Sequence, residues 1–231
     1  SALLATVLWT VVNMVLQLVI AFVLASLLNI QKLRLRRLYK TLLMFPWAMP
    51  GYVSILLWKT GMFNSQFGLL TQWMEDLSGL TVRWLQNDVS AFICCTVVNL
   101  WLALPFMIMI MDGGLKSIDR SYYEAASIDG AGRFRRIWHV TLPGIKSTVI
   151  VLLIMNIGHL MEAGFEIQYL LGNDQTIAFS QTIDVFVMKY GISSGYYGRA
   201  IAAGMFKSVV GIILLFGANF VAKKLDEDTL I

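Results

Sequence analysis

Apolar residues in this chain fall into long runs instead of alternating with polar ones, and short polar segments separate the runs. Crossing a hydrocarbon core takes roughly 20 helical residues, and in lipid a lone segment satisfies its own backbone groups only as a helix. The pattern predicts five such spans, at about Ala2 to Leu28, Thr41 to Trp58, Val89 to Met111, Ser147 to Leu171 and Ala200 to Val221. Pro46 and Pro50 fall inside the second and are expected to interrupt it. The intervening segments are too short to fold separately, so residues 1–231 read as one all-α polytopic membrane domain carrying a polar loop at about 113–146.

Composition strengthens the membrane reading. With 58% hydrophobic and 14% charged residues and a mean hydropathy of +0.70, the chain has too little polar surface for a water-soluble domain. Its net charge of +4 does not point to nucleic acid, because the basic residues sit in short clusters between apolar runs. Of the 18 Lys and Arg, 13 lie on one side of the predicted spans, from Lys32 to Lys40, Lys116 to Lys146, and Lys223 with Lys224. Segments that keep Lys and Arg stay in the cytoplasm, so the N-terminus of this chain is expected outside and its C-terminus inside. The first run has its charge behind it and not ahead, which argues for a retained helix over a signal peptide. A chain starting outside at Ser1 also looks trimmed, which suggests that a preceding helix has been lost or left out.

Little in the sequence promises chemistry. Cys94 and Cys95 are adjacent within a span and read as small packing residues. His139 and His159 lie on opposite sides, no cluster has metal-ligand spacing, and no nucleophile–base pair is visible. There is no Gly-x-x-x-x-Gly-Lys-Ser/Thr, so a P-loop nucleotide site is absent from the chain itself. No catalytic residue, cofactor or metal is therefore expected here. Polar groups inside spans are the stronger pointers, since exposing them to lipid is costly. Asn99, Asn156, Glu162, Glu166 and Lys207 are such groups, and Trp47 and Tyr52 flank the proline interruption, where aromatic faces can stack on a ligand. Glu162 and Glu166, four apart, are expected on one helix face, bonding a ligand or pairing with Lys189, Arg199 or Lys207. The outward segments 61–88 and 172–199 carry Trp73, Trp84, Tyr196 and Tyr197, suited either to docking a partner or to the membrane surface.

The basic loop reads as two short helices. Ser121 with Glu124 matches a capping box, Asp119 and Ser117 being alternative caps. Gly130 is expected to end the first helix with positive φ, Arg133 to Val140 to form the second, and Pro143 to close the return to the fourth span. Its spacing is Glu124-Ala125-Ala126, three residues, Gly130, nine residues, the aliphatic Val140, one residue, then Leu142-Pro143. This spacing resembles the loop by which permease subunits of binding-protein-dependent ABC importers receive their ATPase.

Phe45 to Pro50 with Trp58, Gly61 to Asn64 and Phe67-Gly68 resembles permeases for maltose and related oligosaccharides. The segment from Thr182 to Lys224, with Asp184, Tyr190-Gly191, Gly204 to Ser208 and Asn219, is similar to permeases for polysaccharide and alginate-type oligosaccharides.

The resemblance implies a six-helix importer core, of which this chain supplies five spans, in the bacterial inner membrane. It implies a heterodimer with a second permease subunit, a dimer of ATPase subunits that binds ATP and Mg, an extracytoplasmic solute-binding protein, and an oligosaccharide moved by alternating access. Tyr123, Glu124, Ala125, Ala126, Asp129, Gly130, Ala131, Leu142 and Pro143 are then the ATPase-coupling residues. Small side chains at Ala125 and Ala126 let the helix sit deep in a groove. Glu124 either contacts the ATPase or caps its own helix. An ion-coupled secondary transporter using buried acids is the competing reading, but it leaves this loop without a role.

Overall fold

A computed structural model describes residues 2–30, 33–79, 81–158, 164–173, 176 and 181–224. Among these residues every regular element is helical. In order they are α1 (Ala2–Leu28), α2 (Arg36–Ala48), α3 (Gly51–Met62), α4 (Leu69–Ser78), α5 (Asp88–Ser117), α6 (Arg120–Ile128), α7 (Arg133–Gly144), α8 (Lys146–Gly158), α9 (Phe165–Leu171), α10 (Ile183–Phe186) and α11 (Tyr197–Lys224). The chain widens into π-helical turns at Trp58–Met62, Ile137–Thr141 and Val187–Ile192.

Three of the predicted spans are single helices: α1, α5 and α11 are each long and apolar enough to cross a bilayer. The other two are broken. The second span is two helices, α2 and α3, meeting at 99°. Pro46 is carried within α2, and the bend comes at Pro50. A proline drives the residue before it out of the α region, and Met49 is extended at φ −93°, ψ 141°. The fourth span, expected as one helix from Ser147 to Leu171, comprises α8 and α9. Gly164 precedes α9 with φ +59°, and a Cβ there would lie 2.6 Å from the Trp9 ring, so both backbone and space require glycine. α7 meets α8 at 61°. With Arg133, Arg135 and Arg136 in its first turn, α7 belongs at the membrane boundary, since charge at that density is costly in hydrocarbon.

Helix association in lipid has no hydrophobic drive and depends on close packing and interhelical hydrogen bonds. The pair α1 and α5 uses both. Ala21 and Ala25, one turn apart and fully buried, let α1 approach Met107, Ile108 and Met111 of α5. Toward the other end Trp9 packs with Cys94, Cys95 and Val98 of α5, Ile55 of α3, and Ile167 and Leu171 of α9. Between these clusters Asn99 donates to Asn13 Oδ1 at 2.9 Å, while Asn13 donates to the Trp9 carbonyl at 2.8 Å. Cys94 and Cys95 are buried, unpaired packing residues. α10 docks through Ile183 against α1 and α11.

Candidate functional site

The polar loop forms a short helical ledge whose base is pinned to α5 and α8. A Cβ on Gly114 would lie 2.5 Å from the Thr148 hydroxyl, and one on Gly144 2.7 Å from Ile118, so the two strands of the loop leave the bundle in close contact. Within the ledge Tyr123 OH pairs with Thr141 Oγ1 at 3.1 Å, and Arg136 donates to Ser127 Oγ at 3.0 Å. These bonds tie α6 to α7.

Asp119 is the N-cap of α6, its carboxylate accepting from the Ser121 N–H at 2.9 Å. That bond holds the Asp119 carboxyl below its ordinary range. The Ser121–Glu124 capping box is therefore not formed. Asp119 takes the earlier position, and Glu124 is exposed, without a side-chain hydrogen bond or ion pair among the described residues. The helix ends as expected, with Gly130 at φ +72°. Ala131 N–H donates to the Ala126 carbonyl at 2.9 Å and Gly130 N–H to the Ser127 carbonyl at 3.1 Å, the paired bonds of a Schellman end. Arg133 to Val140 is helical as predicted, but the helix runs on through Leu142 and Pro143 to Gly144. Pro143 sits in the first turn of that last piece, where a missing N–H costs least, and the chain turns at Ile145 instead.

Ala125, Asp129 and Pro143 are exposed, whereas Tyr123, Ala126, Ala131 and Leu142 are half-buried. Around them project residues that the motif spacing does not single out: Ile128 and Phe134, each 88% exposed, and Trp138 at 70%. These exposed apolar side chains stand among the arginines Arg133, Arg135 and Arg136. The signal available in the sequence was large apolar residues placed inside an arginine-rich loop.

A cavity of about 590 Å³ opens among α3, α5, α9, α10 and α11, within the size range of ligand pockets. Glu166 and Lys207 line it, joined by Asp184 on α10. Lys207 does not pair with Glu166. Its ammonium donates to both Asp184 oxygens, at 2.8 and 2.9 Å. The other expected path residues lie elsewhere. Asn99 is bonded to Asn13, Asn156 donates to its own helix at the Leu152 carbonyl, and Trp47 and Tyr52 are exposed on either side of the α2–α3 bend. Glu162 lies outside the described residues. Trp84 is structural, its indole donating to Thr71 Oγ1 at 2.9 Å, whereas Trp73, Tyr196 and Tyr197 are exposed.

A second polar cluster joins α2 and α5 to Asn29, just beyond the end of α1. Asp112, 7% exposed, accepts from Lys40 and Lys116 on one oxygen and from Asn29 on the other at 2.9 Å, with Arg36 3.6 Å away. This explains how α2 is held beside the long helices although its chain direction changes sharply afterwards.

The geometry is one a known family shares. A family model described as "Binding-protein-dependent transport system inner membrane component" matches residues 6–227. The chain belongs to this family. Protein LplB of Bacillus subtilis is 37% identical over 214 residues, covering 90% of this chain and 65% of that protein. The polygalacturonan/rhamnogalacturonan transport system permease protein YteP of the same organism is 33% identical over 210 residues, with the same coverage of each. The chain thus spans 65% of the length of these relatives. A chain in the crystal structure of a bacterial alginate ABC transporter in complex with alginate pentasaccharide-bound periplasmic protein superposes with a TM-score of 0.92. At 23% identity, over 99% of this chain and 80% of that one, it shares the fold. Family membership makes this an inner-membrane, multi-pass protein and bears out the resemblance carried by the 113–146 loop.

Proposed function

We propose that this chain is a membrane-spanning subunit of an ATP-driven importer, forming half of the translocation path for an oligosaccharide. The observation that carries the reading is the α6–α7 ledge, which projects where α5 and α8 meet at Gly114–Thr148 and is seated against the end of α5 by Gly144–Ile118, with exposed Ile128, Phe134 and Trp138 at its surface. Such a surface fits a cleft in a P-loop ATPase dimer, which would bind the ATP and Mg. Closure of that dimer pulls the ledge and, through it, α5 and α8. A second permease subunit completes the path as a heterodimer, and an extracytoplasmic solute-binding protein delivers the sugar. The ledge then faces the cytoplasm, with the N-terminus of this chain outside and its C-terminus inside. Sugar permeases among the relatives support the substrate class.

Ion coupling through buried acids is the weaker reading, because Asp112 and Asp184 are each held by basic side chains. The test is uptake of labelled oligosaccharide by vesicles containing the assembled complex, with ATP supplied and ion gradients collapsed, for the native chain and for variants at Gly130 and Glu124. Uptake that needs ATP, survives the ionophores and falls in the variants supports the assignment. Uptake that persists without ATP and follows an ion gradient replaces it with secondary transport.

A further inference from the structure

We infer that the Asp184–Lys207 pair sets the charge selectivity of the cavity, and that it makes the cavity favour uncharged over uronate-containing oligosaccharides. The inference rests on reading this cavity as part of the transport path. A lysine about ten residues into α11, roughly 15 Å from its start, looks in isolation like an attractor for an acidic sugar. It is not available for that role. Asp184 occupies both faces of the interaction, its two oxygens at 2.8 and 2.9 Å from the ammonium, and the side chains are only 25% and 20% exposed.

The remaining charge in the lining is Glu166, folded over Gly51, where a Cβ would lie 3.2 Å from Oε2. The described side chains around the cavity therefore sum to one negative charge set among apolar neighbours such as Ile55, Leu102 and Phe165. Low-dielectric walls focus that charge into the space between them. A carboxylated sugar meets repulsion, while a neutral sugar finds an aromatic face and two carboxylates able to accept hydroxyl protons.

Charge arithmetic gives a test that does not depend on knowing the sugar. In the assembled complex, Ile192→Cys places a thiol on the cavity wall, and the parent chain, whose Cys94 and Cys95 are buried, supplies the blank. The readout is the ratio of modification rates by a cationic and an anionic methanethiosulfonate. The described native lining carries −1 and is expected to favour the cationic reagent. Asp184→Asn and Glu166→Gln each bring the described charge to zero and should lower the ratio by about threefold or more, whereas Lys207→Gln, at −2, should raise it by a similar factor. The double variant D184N/K207Q returns to −1 and should restore the native ratio. That recovery separates charge from structural damage, since loss of the pair by unfolding leaves the double variant as disturbed as the singles. An anion-favouring native cavity, or a ratio indifferent to these changes, overturns the inference.

The same vesicles are then given trigalacturonate and its methyl ester, in which each carboxylate is replaced by an uncharged methyl ester on the same sugar backbone, with ATP. Preference for the ester that narrows in Glu166→Gln supports the selectivity, and uptake of the free acid equal to or above that of the ester refutes it. If the modification ratios behave as stated but ATP drives no uptake of these or of a neutral malto-oligosaccharide, the transport reading fails. The cavity's charge then stands as measured.

Discussion

Replacing Gly130 probes the ledge at the point where its shape depends on one backbone angle. The residue sits at φ +72°, and a Cβ added there meets nothing within 4 Å. An alanine thus incurs no clash in this chain, and its cost is the left-handed conformation alone, about 1–2 kcal/mol. At 1.4 kcal/mol per tenfold, that shifts the ledge toward alternative ends by roughly 5- to 30-fold. It does so at the expense of the Ala131–Ala126 and Gly130–Ser127 bonds. Asparagine is larger than alanine but tolerates this region far better, so Gly130→Asn is expected to lose less than Gly130→Ala, and β-branched Gly130→Val most of all. The assay is ATP-dependent uptake and ATPase co-purification in the assembled complex, with amide exchange over 119–131 as the structural readout. Function should follow the order Gly, Asn, Ala, Val, with faster exchange at Ala131 in the same order. A loss that follows side-chain volume, with Asn worse than Ala, would mean that a partner surface fills the space beside Gly130, and would refute the conformational argument.

Asp112→Asn removes the one carboxylate that, among the described residues, pairs with Arg36, Lys40 and Lys116. Breaking a buried pair costs about 3–5 kcal/mol, but these cations are a third to a half exposed, so a loss of about 1–3 kcal/mol in thermal unfolding is expected, and no change would sink the view that this cluster anchors α2. Ala25→Leu inserts a large side chain at the α1–α5 contact and should destabilise by about 1–3 kcal/mol, whereas the same change at Val19, which is 56% exposed, should be silent in the same melt. The Asp119 cap predicts a pH dependence: because its folded pKa is lowered by the Ser121 N–H, its contribution is complete above the unfolded carboxylate value of about 3.9 and is lost as pH falls through the lower folded value. Exchange at the start of α6 should accelerate only in that acidic window and should show no such step in Asp119→Asn.

The helices legible from the sequence are those whose apolar runs continue unbroken, α1, α5 and α11, α5 carrying Pro105 in its interior without ending there. Where the runs contain Pro50 or Gly164, hydropathy alone joins segments that the backbone separates, because a hydropathy window registers transfer energy and not direction. The ledge was legible in outline from Glu124 to Pro143, since its signals are local in sequence. The capping choice was not, as Asp119 and Ser121 both satisfy the residue preference and only geometry decides. Pairings were the least accessible. Asp112 reaches Asn29 across 83 positions and Lys40 across 72, and Lys207 reaches Asp184 across 23. Nothing in linear spacing announces such partners, and so the sequence offers Glu162 or Glu166 as pairing candidates for Lys207 instead of Asp184. Asn13 escaped for a related reason: one amide in a strongly apolar run hardly alters its hydropathy, yet it supplies the hydrogen bond to Asn99 at the centre of the helix pair.

The account depends most on the ledge being the seat of an ATPase. The most direct measurement places a photo-cross-linking amino acid at Phe134, and in parallel at exposed Val19 within α1, in membranes holding the assembled system. The account predicts an adduct from position 134 with a P-loop ATPase subunit, with a yield that changes between ATP-bound and nucleotide-free states, and no ATPase adduct from position 19. An ATPase that co-purifies and hydrolyses ATP but yields no adduct from position 134 in either state would contradict it.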